Sequence, residues 1–348
     1  MSTRFEEILE KSASAAIDRD EALFLFKETE DEDKAGELFG AARRVRETLK
    51  GNTFEWTGGI ASVLSCNLSS LCRYCPYWLE KDQAPLTIEE ILKGVAYIQA
   101  HGIKQFHLSG GTTLGSDGRD VLAIVEAIRN AGFVDLAIEV NCGAALSLET
   151  LKELKTLGVY RVGSVFETIN PQVFKAVKPG DDLEAKKQFA LRIGEAGLLL
   201  GTGLLAGLGP RETRPQDYVD FIFFVKGYEH LQDVYVSKFL PYKGIPMAGH
   251  PACSALEAAR LMAVMRLVLR DIEIGPAAGW GSSDVPTPLM AGCGNKALGI
   301  HVNRTPRYGD RVPSDECTFE GDMEFRNTMA VTAARYAAMG LAIVPQLA

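Results

Sequence analysis

Several things that this chain of 348 residues does without narrow what it is. No stretch of about 18 apolar residues occurs, which leaves no candidate for a membrane-spanning helix. Basic charge is short: 37 Lys and Arg stand against 45 Asp and Glu, a formal net charge of -8. There is no cationic excess to neutralise a phosphate backbone, and nucleic acid is not an expected partner. The opening "MSTRFEEILEKSASAAIDRDEALFLF" carries acids throughout and lacks the apolar centre of a signal peptide, so a cytoplasmic location is expected. Low-complexity linkers and internal repeats are missing too. Cysteine is scarce, with seven residues; the odd number, and three gathered inside ten positions, argue against a disulfide framework and for metal or redox chemistry.

What is present is ample core-forming material, 47% hydrophobic and 24% charged, enough for one large α/β domain or two ordinary ones. Two helical segments, 4–27 and 33–49, come first; the second places Leu38, Ala41, Ala42, Val45 and Leu49 at helical spacing and stops at Gly51. They read as a helical cap over residues 1–52. From residue 60 short apolar runs alternate with amphipathic segments. The candidate strands are "IASVLS" (60–65), "KQFHLSG" (104–110), "DLAIEVN" (135–141), "YRVGSVFE" (160–167), "LLLGTGLLAG" (198–207), "DVYVSKFL" (233–240), "DIEIGP" (271–276) and "ALGIHVN" (297–303). Helices are expected at 87–101, 117–131, 147–157, 183–196, 215–226 and 254–270.

Strands alternating with helices imply right-handed parallel crossovers, and eight such units suit an α/β fold of the (βα)8 TIM-type barrel class over 53–320. A last helix and tail, 321–348, would pack on that barrel. Barrel active sites gather where strands end and helices begin. Cys66 is expected directly after the first strand, Gly110 and Gly111 after the second, Asn141 and Cys142 after the third, and Glu167 after the fourth.

The segment "SVLSCNLSSLCRYCPYW" (62–78) spaces its cysteines Cys66, Cys72 and Cys75 as Cys-x5-Cys-x2-Cys. A structural zinc site is closed by four protein ligands, and the second ligand pair is absent: His101 lies at a helix end and His107 inside a strand. Burial as three small apolar residues conflicts with the polar, turn-like flanks. Three thiolates suit a cluster of four irons and four sulfides, which ordinarily takes four, with one iron left open to a substrate or cosubstrate. Tyr74, just before the third cysteine, is placed to shield the cluster or to lie against an adenine ring.

A three-cysteine loop after the first barrel strand, with an aromatic before the third cysteine, resembles the radical S-adenosylmethionine (SAM) enzymes. Their usual spacing is Cys-x3-Cys-x2-Cys; here the first gap is longer by two and the Cys72-Arg-Tyr-Cys75 half is intact. The stretches "FETINPQVFKAVKPG" (166–180), "GTGLLAGLG" (201–209) and "FLPYKGIPM" (239–247) are similar to the branch that contains biotin synthase, the FeFe-hydrogenase maturase and methylornithine synthase. The likeness extends over roughly residues 35–345. Within the branch, the five-residue gap resembles the HmdB (HcgA) family, associated with biosynthesis of the iron-guanylylpyridinol cofactor of the single-iron hydrogenase.

That resemblance implies a 4Fe-4S cluster held by Cys66, Cys72 and Cys75, whose open iron chelates SAM; reductive cleavage would give methionine and a 5'-deoxyadenosyl radical that takes hydrogen from a small molecule. It implies a reducing electron donor of flavodoxin or ferredoxin type. Where the family often has Gly-Gly-Glu, this chain has Gly110, Gly111 and Thr112, so the acid for the SAM ammonium is missing and a plain strand-to-helix turn is the competing reading. Glu167 matches the branch's Glu-Thr. Lys186, eleven residues before Gly197, stands where relatives place an arginine for the SAM carboxylate, keeping the charge and losing the fork; a solvated helix charge is its alternative. Gly201, Gly203, Leu205 and Gly207 lie in the strand expected against the adenosyl group, or mark a barrel bend. Asn141 and Cys142 are candidate substrate contacts, with Cys142 equally readable as an inert core thiol. Cys253, Cys293 and Cys317 form no second Cys-x2-Cys set, so no auxiliary cluster is expected. Trp280, Asn295, His301 and Arg304 are candidates for the inner pocket. A methylornithine-synthase-like rearrangement of an amino acid is the second reading, and a non-catalytic metal-binding scaffold is the alternative of another class.

Overall fold

A computed structural model describes residues 3–143, 146–281, 284, 286–305 and 317–344. Seven parallel strands lie side by side in chain order: β1 (Thr53–Ile60), β2 (Gln105–Ser109), β3 (Ala137–Asn141), β4 (Val159–Gly163), β5 (Leu199–Ala206), β6 (Leu231–Lys238) and β7 (Glu273–Pro276). An eighth, β8 (Lys296–Arg304), pairs in parallel with β1 on the side away from β2. Among the described residues the β7–β8 seam is not a ladder: the Gly294 N–H donates to the Ile274 carbonyl at 2.5 Å, and above that point β10 (Met323–Asn327) pairs antiparallel with β8. A hairpin turn at Gly321 (φ +58) joins β10 to β9 (Cys317–Glu320). A short β11 (Ala342–Val344) follows the last helix and pairs with the start of β1. The barrel class expected from the sequence is the fold observed.

Three cap helices, α1 (Arg4–Ser12), α2 (Arg19–Glu28) and α3 (Glu32–Lys50), precede the barrel. The single segment expected over 4–27 is two helices, because Asp18 caps the Glu21 N–H while the Glu21 carboxylate caps Asp18 in return. The barrel's own helices are α4 (Ile88–Ala100), α5 (Arg119–Asn130), α6 (Leu148–Thr156), α7 (Pro171–Val177), α8 (Leu183–Glu195), α9 (Arg214–Val225), α10 (Ala255–Leu269) and the short α11 (Pro286–Met290); α12 (Met329–Ala338) carries the C-terminal segment. Outward strand residues such as Ile60, Phe106, Leu108, Ile138 and Val302 are buried against these helices.

The first strand corrects an expectation. It runs 53–60, not 60–65, because Ser62 has a left-handed backbone (φ +57), which ends the extended run one residue after Ala61. Cys66 therefore follows an irregular stretch and not the strand itself.

Inward positions in the lower bore carry charge. Arg161 on β4 is paired with Glu139 on β3 and Asp233 on β6, and Nζ of Lys296 lies 3.6 Å from Asp233. Glycines make room: a Cβ at Gly201 would sit 2.9 Å from the Asp233 carboxylate. Burial disfavours the Arg161 charge, but Glu139 and Tyr235 outweigh it and hold the guanidinium protonated. These buried groups form a plug across the barrel. Replacing the cation alone, in Arg161→Met, leaves two buried carboxylates without their partner. The expected loss is about 3–5 kcal/mol of unfolding free energy in urea; an unchanged midpoint would show that the plug is not holding the barrel.

Candidate functional site

Residues 61–75 form one loop at the C-terminal mouth, and three neighbours position it. Along the first, Val63 N–H donates to Ser109 O (3.2 Å), Gly111 N–H to Leu64 O (2.8 Å) and Asn67 N–H to Thr112 O (3.0 Å). The Asn67 carboxamide closes a reciprocal pair with Leu114, both bonds at 2.8 Å. A Cβ at Gly111 would lie 2.7 Å from Cys66 Cα, and one at Gly110 would lie 2.8 Å from Leu64 N. These two glycines thus let the loop after β2 lie flat on the cysteine loop. On the second side, Arg73 N–H donates to Val177 O (2.8 Å), and a Cβ at Gly180 would lie 2.7 Å from Ser70 N. On the third, Met247 N–H donates to Arg73 O (3.2 Å). Pro76–Leu79 makes a single tight turn beginning at Cys75, fastened by Trp78 Nε1–H to Cys72 O (2.9 Å).

The thiols are half-buried. Burial raises the pKa of all three, Cys75 to about 12, where the neighbouring Cys72 and Cys66 push further in the same direction. Opposing this, Thr112 N–H donates to Cys66 Sγ at 3.1 Å and Tyr77 N–H reaches the Cys75 sulfur, while Lys178 favours the Cys72 thiolate. Three thiols that sense one another, with backbone donors aimed at two of them, fit a polycationic centre that stabilises their joint ionisation. Among the described residues no three His, Cys, Asp or Glu side chains converge at single-ion distance. A polynuclear cluster takes its thiolates at separate iron atoms and asks for a wider triangle.

Beside the loop stands Glu167, four residues past β4, with φ +65. It bridges to β5: its N–H donates to Gly203 O and its carbonyl accepts from Leu205 N–H, both at 3.0 Å. Burial raises its carboxyl pKa, with Lys178, Lys186 and a hydrogen bond from the Tyr74 hydroxyl opposing. Its Oε2 has no hydrogen-bond partner among the described residues. A non-glycine residue held in a left-handed conformation with an unsatisfied buried oxygen marks a place where the fold tolerates strain. Asp181 completes this end, between Lys178 Nζ (2.8 Å) and Lys186 Nζ (3.3 Å). Burial and then the repulsion from Lys178 bring Lys186 down to about 8.

The structure thus brings Cys66, Cys72, Tyr74, Cys75, Gly110, Gly111, Thr112, Glu167 and Lys186 to one end, with Gly203 and Leu205 behind Glu167. Lys178 and Asp181 belong with them and went unnoticed in sequence; the signal available was two lysines flanking "PGDD" in a stretch already singled out. Asn141 points across to β4, where the missing Cβ of Gly163 leaves its Oδ1 room at 2.7 Å. Cys142 is buried, with its thiol pushed up to about 12, and packs toward Leu108 O at 3.9 Å, apart from the three-cysteine loop. Of the inner-pocket candidates, His301 faces His107 in the bore, with ring centroids 6.5 Å apart. Trp280 is tied to Val236 O (2.8 Å), and Arg304 pairs outward with Glu90 (2.7 Å). Asn295 accepts from Glu55 N–H (2.7 Å) at the opposite end of the barrel.

A family model described as Radical SAM superfamily matches residues 62–224. An uncharacterized protein of Methanocaldococcus jannaschii is 35% identical over 294 residues, covering 82% of this chain and 76% of its own. Biotin synthase of Pelotomaculum thermopropionicum is 27% identical over 295 residues, 82% and 88% of the two chains. The crystal structure of methylornithine synthase superposes with a TM-score of 0.76 over 97% of both chains at 19% identity, a likeness of fold.

Seating of the loop is testable by itself. In Gly180→Ala the new methyl displaces Ser70, and iron bound after anaerobic reconstitution should fall at least about twofold with the far-UV circular dichroism unchanged. Gly36→Ala, which meets nothing within 4 Å, serves as the control; full iron in both variants would show that this contact does not hold the cysteines in place.

Proposed function

The chain belongs to the radical SAM superfamily, and from that premise we propose that it acts in biosynthesis of the iron-guanylylpyridinol cofactor, taking a hydrogen atom from a small precursor enclosed in the barrel. Members of this superfamily use a 4Fe-4S cluster and SAM, and its enzymes include biotin synthase. The observation that carries the reading is the three-cysteine loop seated at the barrel mouth beside a carboxylate with an unpartnered oxygen. Its Cys-x5-Cys-x2-Cys spacing supports the particular pathway.

The bound cluster and SAM together supply reductive cleavage of a sulfonium carbon–sulfur bond. Cys66, Cys72 and Cys75 would hold the cluster. Thr112 N–H and Tyr77 N–H stabilise the thiolates. Tyr74, whose hydroxyl is held by Glu167, covers the cluster from solvent. Glu167 Oε2 accepts from the SAM ammonium or ribose, doing the work that an acid at Thr112 does in relatives. Lys186 holds the SAM carboxylate with Asp181 orienting it. Gly110 and Gly111 act through the cysteine loop they support, Gly203 and Leu205 place the strand that carries Glu167, and Asn141 faces the substrate with Cys142 behind it in the wall. Residues 53–320 form the catalytic barrel, with 1–52 as its helical cap and 321–348 packed on it. The electron donor is a flavodoxin- or ferredoxin-like protein, and the setting is cytoplasmic.

Anaerobically reconstituted protein with dithionite and SAM should form 5'-deoxyadenosine, and Cys66→Ala, Cys72→Ala and Cys75→Ala should each lower the rate at least about 100-fold. Deuterium should pass into 5'-deoxyadenosine from a labelled pyridinol precursor and not from labelled lysine; transfer from lysine would favour amino-acid rearrangement. SAM affinity should decline as pH rises through about 8, where Lys186 loses its proton. In Lys186→Arg the guanidinium stays charged and that decline disappears; parallel pH curves for the two proteins would remove Lys186 from the carboxylate site.

A further inference from the structure

Lys178, at the C-terminal cap of α7, is a lysine only 4% exposed. Its main chain is pressed against the cysteine loop on both sides. The carbonyl before it, Val177 O, accepts from Arg73 N–H at 2.8 Å, and two residues on, a Cβ at Gly180 would lie 2.7 Å from Ser70 N. Arg73 directly follows Cys72 in the chain and Ser70 stands two residues before it. The Lys178 backbone therefore runs alongside Cys72.

The ammonium is fixed as firmly as the backbone. Nζ lies 2.8 Å from the Asp181 carboxylate and 5.1 Å from the centroid of the Phe174 ring. Phe174 is buried and the Asp181 side chain is 1% exposed, so solvent ions screen this charge little. Burial works against the ammonium, but Asp181, Cys72 and Glu167 outweigh it and hold Lys178 protonated. Lys186 behaves differently, since burial and the repulsion from Lys178 bring it down to about 8. Lys178 is thus the lasting positive charge at this end of the barrel.

Stability does not account for it. A buried ion pair gives up the hydration of both ions, and well-packed apolar side chains would serve the fold as well or better. The charge does act on the cysteine beside it: among the neighbouring charges, Lys178 does most to favour the Cys72 thiolate. An electron added to a cluster held by three thiolates adds negative charge in the same place. A cation kept nearby in a poorly screened setting favours that added charge, and the potentials of iron–sulfur clusters follow the charge around them.

We propose that Lys178, held by Asp181 and Phe174 alongside Cys72, sets the reduction potential of the cluster, its charge favouring the one-electron-reduced form. The inference rests on the proposed function only in taking Cys66, Cys72 and Cys75 as ligands of an iron–sulfur cluster.

The experiment is a redox titration of the anaerobically reconstituted full-length protein without SAM, with the reduced cluster followed by electron paramagnetic resonance and iron counted in every sample. Lys178→Met and Lys178→Gln, alike in charge and unlike in packing, should each lower the reduced-to-oxidised ratio at the parent's midpoint at least about tenfold, which for one electron is a midpoint about 59 mV lower. Lys178→Arg keeps the charge and should stay within about threefold of the parent. Lys175→Met, which removes an exposed lysine from the same helix, should match the parent. A packing role alone would separate methionine from glutamine and would not be rescued by arginine. A full cluster whose midpoint is unmoved in both neutral variants overturns the proposal, as does a shift of the same size in Lys178→Arg or Lys175→Met. Neutral variants that take up no iron also overturn it, giving the lysine a part in assembling the site instead. A parent that assembles no cluster ends this inference and the proposed function together. An unmoved midpoint with working SAM cleavage ends this inference alone, and a shifted midpoint without SAM cleavage ends the radical reading and leaves Lys178 in its role.

Discussion

The site depends on where a loop of irregular backbone comes to rest. Fifteen residues between the end of β1 and the turn at Cys75 have no regular ladder of their own, so their position is set by neighbours that accept their amides and leave them room. Gly111 and Gly180 do the second part: each lies against the loop's main chain, where a methyl group would collide. Hydrogen bonds from Val63, Gly111, Asn67 and Arg73 do the first. The chemistry of the thiols follows from that placement, because burial makes them poor acids alone while the backbone donors to Cys66 and Cys75 favour the thiolates that a shared centre needs.

A second constraint is electrostatic. Around the mouth two lysines are set against two carboxylates, and one of those, Glu167, sits in a left-handed conformation while bridged to β5. Such a residue owes its geometry to its neighbours. The left-handed turn lets Glu167 pair with β5 through its backbone while its carboxylate meets Tyr74 and the lysines.

Strands β2 to β6 were legible to within a few residues, since each is an apolar run bounded by turn residues and followed by an amphipathic helix. That the three cysteines share one loop was visible in their spacing. The first strand was misplaced because "IASVLS" is apolar enough to read as extended, and nothing in composition marks Ser62 as left-handed. The β9–β10 hairpin and β11 escaped notice because their pairing partners, β8 and the start of β1, are distant in sequence or already assigned to other neighbours. Lys178 and Asp181 escaped for a different reason: charges near a "PG" turn ordinarily mean a solvated corner, and only the three-dimensional placement of Cys72 turns them inward.

The ionic plug at Arg161 gives the barrel a floor. With the lower bore filled by buried ion pairs, the space that remains among the described residues would open at the rim where the three sulfurs lie, and a molecule resting across that rim would cover whatever lay deeper.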